Sequence, residues 1–183
     1  SKLLARIVAA DDILNKDENA ENSKDLGWSI HDHTYGITSD PMTQFTVILA
    51  ALIHDVDHLG VSNAQLIKEG NDLAEIFNKR SIAEQNSIAM AWDLLMDPKF
   101  VDLRRTIYTD EFELDRFRQL IANTVLATDI MDKEFQTLRR KRWHAAFKGS
   151  SIHKGLDDDD ARDKVNRKAT IVIEHLIQAS DVA

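Results

Sequence analysis

His54, Asp55, Asp57 and His58 place four side chains able to ligate a metal within five residues, directly after the apolar run Phe45, Val47, Ile48, Leu49, Ala50, Ala51, Leu52 and Ile53. On a helix continuing through them, His54 and His58 are four residues apart and share one face. Asp55 follows His54 and can reach the same ion from one side. Imidazole suits a zinc-class ion, and a carboxylate suits either that ion or a harder magnesium or manganese ion beside it. The stretch therefore reads as a two-metal hydrolytic centre. A lone His-Asp pair after an apolar helix is more often a cap and a solvated acid. Four such groups together reverse that reading, because burying them is costly unless something pairs with them. Asp57 is the member expected to be merely exposed or hydrogen-bonded. The rival motif, His-Glu-x-x-His of zinc proteases, needs a glutamate as general base where this chain has the shorter Asp55.

The elements that must position this cluster read as helices and loops, with no strand-type alternation. Ser1 to about Ile13 resembles the tail of a helix, with Leu3, Leu4, Ile7 and Val8 on one face. A loop is expected across 13–40, and its polar, acidic part from Asn15 to Gly27 has no periodicity that would bury it. His31-Asp32-His33 offers a second cluster of ligand types, but its irregular setting favours a surface or packing role. Asp40 suits a cap and Pro41 the first turn of the next helix. That helix is apolar nearly all round, so it is expected to be central and to deliver His54 and Asp55 into the interior.

Ser62 to Lys68 and Asp72 to Asn78 read as short helices punctuated by Gly70, and Ser81-Ile82-Ala83-Glu84 as a capping box. The helix it opens should run to about Asp97, where Pro98 stops it. Leu114, Phe117, Leu120, Ile121, Val125 and Leu126 trace the apolar face of a long helix ending near Asp129. Helix continues from Met131 to Phe147 and breaks at Gly149-Ser150-Ser151. Asp157 to Asp160 form an acidic start to the last helix, where negative charge favours the dipole; a surface role is expected there rather than a cation site. Val165, Ala169, Val172, Leu176 and Ile177 lie on or near one face of that helix, and Asp181 closes it.

Composition narrows the function classes. A chain of 183 residues can bury one substantial core. Its formal charge of -8 argues against general nucleic-acid binding. The basic run Arg139-Arg140-Lys141-Arg142 beside Trp143 is the local exception, and reads as a solvated helix face. With no cysteine, disulfides and thiolate metal sites are excluded, so any metal must use His, Asp, Glu and water. That matches a cytoplasmic setting. No run approaches the roughly 20 apolar residues of a membrane span, and no secretory signal is visible.

The stretch from His54 through Gly60-Val61-Ser62-Asn63 resembles the signature of the class I 3',5'-cyclic nucleotide phosphodiesterases. Ala83-Glu84-Gln85-Asn86-Ser87-Ile88-Ala89-Met90-Ala91 resembles that family's next helix, Asn123-Thr124-Val125-Leu126-Ala127-Thr128-Asp129 the segment after it, and Gln178-Ala179-Ser180-Asp181-Val182 the segment carrying a distant metal aspartate. The wording of Thr34-Tyr35-Gly36-Ile37-Thr38-Ser39-Asp40-Pro41 is similar to protist and algal members, often fused to receptor cyclases. The four matches occur in the family's order.

The resemblance implies an all-α, compact multi-helix bundle of the phosphodiesterase, HD-like type. It implies His54, Asp55 and Asp181 as ligands of a tighter ion, expected to be Zn2+, with Asp55 bridging to a second, expected to be Mg2+ or Mn2+. It makes His58 a hydrogen-bond partner around the metal waters rather than a ligand. Glu84, besides its capping role, lies where the family keeps a carboxylate that hydrogen-bonds water on the second metal. Thr128 and Asp129 lie beside the metal-bound waters. The family's His-Asn-x-x-His element, with its general-acid histidine, is expected before Ser1, and its purine clamp after Ala183. The chain 1–183 is thus expected to be part of a catalytic domain, truncated at both ends. The implied activity is hydrolysis of cyclic AMP, cyclic GMP or both to 5'-nucleotides by a two-metal-activated hydroxide, in signal transduction. The expected parent is cytoplasmic, or carries this part as the cytoplasmic domain of a membrane protein, with fused cyclase, receptor or regulatory domains. Two alternatives stay open: another HD-type metal phosphohydrolase, and a non-catalytic binding or regulatory module.

Overall fold

The apolar run before His54 forms helix α1 (Pro41–Ile53) in the computed structural model, which describes residues 34–147 and 158–181. The helix expected over Ser1 to Ile13, most of the loop 13–40, the His31-Asp32-His33 cluster, the break at Gly149 and the acidic Asp157 lie outside the described residues. Pro41 occupies the first helical position, where a missing N–H costs nothing. Asp40 precedes it in extended conformation but does not cap it, contrary to expectation. Its carboxylate instead accepts hydrogen bonds from the Thr43 hydroxyl and the Arg116 guanidinium. Burial opposes its ionisation, yet those bonds and the Arg116 charge outweigh it and hold Asp40 below the ordinary aspartate value.

The remaining helices are α2 (Asn63–Glu69), α3 (Asp72–Ile76), α4 (Ile82–Met96), α5 (Val101–Ile107), α6 (Glu111–Leu126), α7 (Lys133–Phe147) and α8 (Asp158–Asp181). Every regular element among the described residues is helical, as the sequence predicts. Ser62, Asn71 and Asp110 each accept a backbone N–H and so start α2, α3 and α6. Gly70 ends α2 with φ 67, the left-handed conformation glycine adopts without steric cost. Pro98 opens a 3-10 turn, Pro98–Phe100, which leads into α5. The sequence reading lacked α5: Val101 and Leu103 are exposed, so no buried stripe announces it.

α1 packs along α6. Phe117, Ile121 and Val125 recur every fourth residue of α6 and close on Ala50 and Ile53 of α1. Phe117 is fully buried, with the rings of Phe45, Trp92 and Tyr108 each 6.2 Å away. A second cluster of Ile37, Val47, Ala127, Ile173 and Ile177 seats α8 against α1. A third, Leu66, Ala74 and Ile82, joins α2 and α3 to α4. The end of α1 and the end of α8 thereby meet.

Three expectations need correction. α1 is central but not buried all round, since Phe45, Ile48 and Leu52 face outward and Leu52 is 74% exposed. In α8 the buried apolar positions are Ile171, Ile173 and Ile177; Ala169, Val172 and Leu176 are half-buried and Val165 is exposed. The basic run is not a wholly solvated face. Arg139 is buried and donates to the carbonyls of Ala127 (2.7 Å) and Asp129 (2.9 Å), and Arg142 pairs with the buried Glu174. No helix among the described residues is long and apolar enough to cross a membrane.

Candidate metal centre

α1 stops at Ile53, and His54 is its C-cap residue, its N–H bonded to the Ala50 carbonyl. The chain then turns, with Val56 N–H on the Ile53 carbonyl and His58 N–H on the Asp55 carbonyl. Asp57 takes a φ of 60. The shared helical face expected for His54 and His58 therefore does not exist, because the helix ends before it. What replaces it is a histidine fixed at a helix end. His54 Nδ1 lies 3.0 Å from the Ala51 carbonyl. A carbonyl can only accept, so Nδ1 carries the hydrogen and Nε2 faces the site. Nε2 lies 3.0 Å from Asp181 Oδ1 and 3.3 Å from Asp55 Oδ2. One ligand atom from each of His54, Asp55 and Asp181 falls within 4.8 Å of the other two.

This donor set fits a divalent cation. A metal-ligating histidine typically donates its second ring N–H to a carbonyl or carboxylate, which fixes the tautomer and orients the ring; Ala51 does that here. Among the described residues the set offers one imidazole and two carboxylates, donor types that a zinc-class ion accepts. The set is not interior as expected: the Asp55 side chain is 66% exposed, against 20% for His54. The histidine thus forms a fixed wall and Asp55 the open rim.

Of the other expected site residues, Glu84 and Asp129 are brought together at the start of α4 through Asn63 and Ser81. Asp129 is buried, and its Oδ1 accepts the N–H groups of Met131 (3.1 Å) and Asp132 (3.2 Å). Its Oδ2 accepts the Ser81 hydroxyl at 2.8 Å and the Asn63 amide at 3.4 Å. The Asn63 amide nitrogen also donates to Glu84 at 2.9 Å. Burial pushes the Glu84 carboxyl above its ordinary value, the nearby Asp129 adds to this, and the Asn63 hydrogen bond and His58 pull the other way. The capping box is not formed. Ser81 adopts φ 38 and ψ 52 and makes no side-chain cap, because a cap residue needs extended backbone to aim its oxygen at the first turn. Thr128 is buried, its hydroxyl donating to the Val125 carbonyl at 2.7 Å. His58 Nδ1 accepts the Gly60 N–H at 3.0 Å.

Several residues that hold the site have no such role in the sequence analysis. Asn86 donates to Asp57 at 3.2 Å, and the fully buried Ser87 donates to the Val56 carbonyl at 2.7 Å, tying the His54–Gly60 turn to α4. Arg139 and Gln178 both donate to the Ala127 carbonyl, pinning the turn that carries Thr128 and Asp129. Asn86 and Ser87 had a signal: two polar residues occupy inward positions of α4. Arg139 and Gln178 had none, since their partners are carbonyls distant in sequence.

A family model described as 3'5'-cyclic nucleotide phosphodiesterase matches residues 29–183. The chain is 30% identical over 136 residues to a probable 3',5'-cyclic-AMP phosphodiesterase of Caenorhabditis elegans, covering 74% of this chain and 19% of that protein. It is 26% identical over 151 residues to a mouse high affinity cAMP-specific and IBMX-insensitive 3',5'-cyclic phosphodiesterase, covering 80% and 18% respectively. A human cGMP-inhibited 3',5'-cyclic phosphodiesterase is 34% identical over 107 residues, or 56% of this chain and 9% of that protein. The chain thus spans about a fifth or less of these relatives. Among solved structures, the phosphodiesterase domain of Salpingoeca rosetta rhodopsin phosphodiesterase superposes with a TM-score of 0.57 at 25% identity, covering 81% of this chain and 44% of that one.

Proposed function

This chain belongs to the 3',5'-cyclic nucleotide phosphodiesterase family, and from that premise we propose that it carries a metal-dependent centre for hydrolysing 3',5'-cyclic nucleotides to 5'-nucleotides. The observation that carries the reading is the approach of Asp181, 127 residues away in sequence, to the Nε2 of His54 beside Asp55. Those three residues would hold the tighter ion, Zn2+, with Asp55 shared toward a second, Mg2+ or Mn2+. Divalent ions in such a centre supply phosphate-charge neutralisation and a water acidic enough to attack near neutral pH.

The chain's own residues do the rest. Asp55 and Asp181 crowd negative charge at the rim, so a cyclic phosphate anion is repelled from the bare protein and admitted only after loading inverts the local sign. His54, held by the Ala51 carbonyl, keeps its lone pair aimed at the site. His58, Glu84 and Asp129 orient water by hydrogen bonds. Thr128, whose hydrogen is committed to Val125, contributes lone pairs that only accept. In the overall reaction the water oxygen bonds to phosphorus, the P–O3' bond breaks, and O3' leaves with a proton. The solved relative is one domain of a rhodopsin phosphodiesterase, which supports reading residues 1–183 as part of a catalytic domain within a larger signalling protein, placed in the cytoplasm.

The test is hydrolysis of cyclic AMP and cyclic GMP by the full chain, with and without EDTA, with products separated by chromatography. Metal-dependent release of a 5'-nucleotide, lost in D55A, supports the proposal and assigns the nucleotide. Intact cyclic nucleotides alongside phosphate release from a nucleotide monoester would move the assignment to another metal phosphohydrolase. A protein that binds no metal would be a binding or regulatory module.

A further inference from the structure

Ser81 combines three features at the start of α4. Its backbone is left-handed at φ 38, it is buried, and it stands before α4 without capping it. Asn78 and Lys79 are left-handed as well, with φ 52 and 59, but their N–H groups close the end of α3 on the Glu75 and Ala74 carbonyls, so Ser81 is the outlier that no helix end accounts for. Such outliers persist only when surrounding structure over-determines them, and they cluster where a side chain must be aimed. The cap that Ser81 gives up is supplied from another element: Asn63 Oδ1 accepts the Ala83 N–H at 3.0 Å, while the same amide donates to Glu84 and Asp129. The Ser81 hydroxyl is thereby free, and it reaches 48 residues along the chain to Asp129 Oδ2 at 2.8 Å.

We propose that Ser81 is a positioning residue for the metal centre: its strained turn exchanges a helix cap for a hydroxyl that locks Asp129 Oδ2, while Asn63 caps α4 in its place. The inference rests on the reading of Asp129 as a group that orients water beside the second metal. Both oxygens of Asp129 are then set, Oδ1 by two backbone N–H groups and Oδ2 by Ser81. Without the hydroxyl, Oδ2 keeps only the longer Asn63 contact and is held loosely, while Oδ1 stays on its two backbone N–H groups.

The experiment compares wild type, S81A and S81G in the full chain, by calorimetric Mn2+ titration and by steady-state hydrolysis of cyclic AMP and cyclic GMP. Both variants lose the hydroxyl, but glycine also accepts the left-handed backbone without strain, so S81G should melt above S81A. Both should weaken the second Mn2+ equivalent by about 10- to 100-fold, the range for losing a partner that orients a metal site. Turnover should fall with kcat, with KM little changed. In a D129N background, which keeps Oδ1 but replaces the oxygen Ser81 touches, S81A should cause no further loss. Wild-type Mn2+ affinity in both S81A and S81G, or losses that multiply with D129N, would overturn the proposal. If wild type binds two Mn2+ but hydrolyses no cyclic nucleotide, the proposed activity fails while the Mn2+ affinities still decide the role of Ser81. If wild type binds no second Mn2+, both fail.

Discussion

Replacing Asp181 with asparagine separates a metal ligand from a structural partner, because the amide N–H can donate to the Nε2 lone pair of His54 and keep the contact while the charge is gone. In the bare protein the Asp55 and Asp181 oxygens lie within 4.8 Å of each other. Two unit charges at that distance repel by about 0.9 kcal/mol in water and about 3.5 kcal/mol at an effective dielectric of 20. With Asp55 66% exposed, the lower figure applies. Metal-free D181N should therefore melt at wild-type temperature or up to about 2–4 °C above it, the shift about 1 kcal/mol produces in a chain of this size. Metal reverses the order. At a concentration 100 times its Kd, a ligand stabilises the folded state by about 2.7 kcal/mol, or about 5–11 °C here. If losing the ligand raises Kd about 100-fold, the upper range for losing even an outlying partner, the gain at the same metal concentration falls to about 0.4 kcal/mol. The assay is thermal unfolding by circular dichroism with EDTA and with Zn2+ or Mn2+. An undiminished metal-induced rise in D181N would refute the ligand assignment. A metal-free drop of several degrees would make Asp181 a structural anchor of His54 instead.

Three further outcomes follow from the geometry. Burial raises the Glu84 carboxyl, so its contribution to stability is fully present below the unfolded value, near 4.5, and is lost as pH rises through the folded one. Metal-free E84Q should thus gain on wild type in Tm as pH is raised from below that value; a gap that widens toward acid would contradict this. Asp40 is shifted the other way, so its pairing with Arg116 stabilises above the ordinary aspartate value and disappears as pH falls through the lowered one. D40N should cost about 0.5–1 kcal/mol near neutrality, in keeping with a half-exposed pair, and nothing in strong acid, as read by urea midpoints across pH. F117A removes the fully buried ring at the centre of the α1–α6 cluster and should cost about 3–5 kcal/mol, seen as a lower denaturant midpoint at unchanged slope.

The helices were legible where a periodic apolar face met a stop signal. Phe117, Ile121 and Val125 traced α6, Pro41 marked the start of α1, and Pro98 marked the end of α4. α5 was missed because its apolar residues are exposed. The approach of His54, Asp55 and Asp181 was legible only through the family resemblance, since nothing in the composition of the last helix distinguishes a terminal aspartate. The capping box at Ser81 failed for an informative reason: the pattern Ser-x-x-Glu states a local preference, and a left-handed backbone overruled it in favour of a partner 48 residues away. The basic run failed because a guanidinium in such a run can be spent on carbonyls, which carry no side-chain signature. Arg139 is spent in that way.

Asp181 is the last residue of the last described helix, and its partner His54 ends the first. A cation held between them, as proposed, would staple a loop of more than a hundred residues, a closure whose entropy the unfolded chain otherwise keeps. It also sets an order in time. During synthesis from the N-terminus, His54 and Asp55 emerge long before the residue that completes their ligand set, so a nascent or prematurely released chain ending anywhere before Asp181 cannot assemble the three-ligand centre. In the proposed centre, capture of a cation by all three ligands would report that the chain has been made and folded through the last described helix.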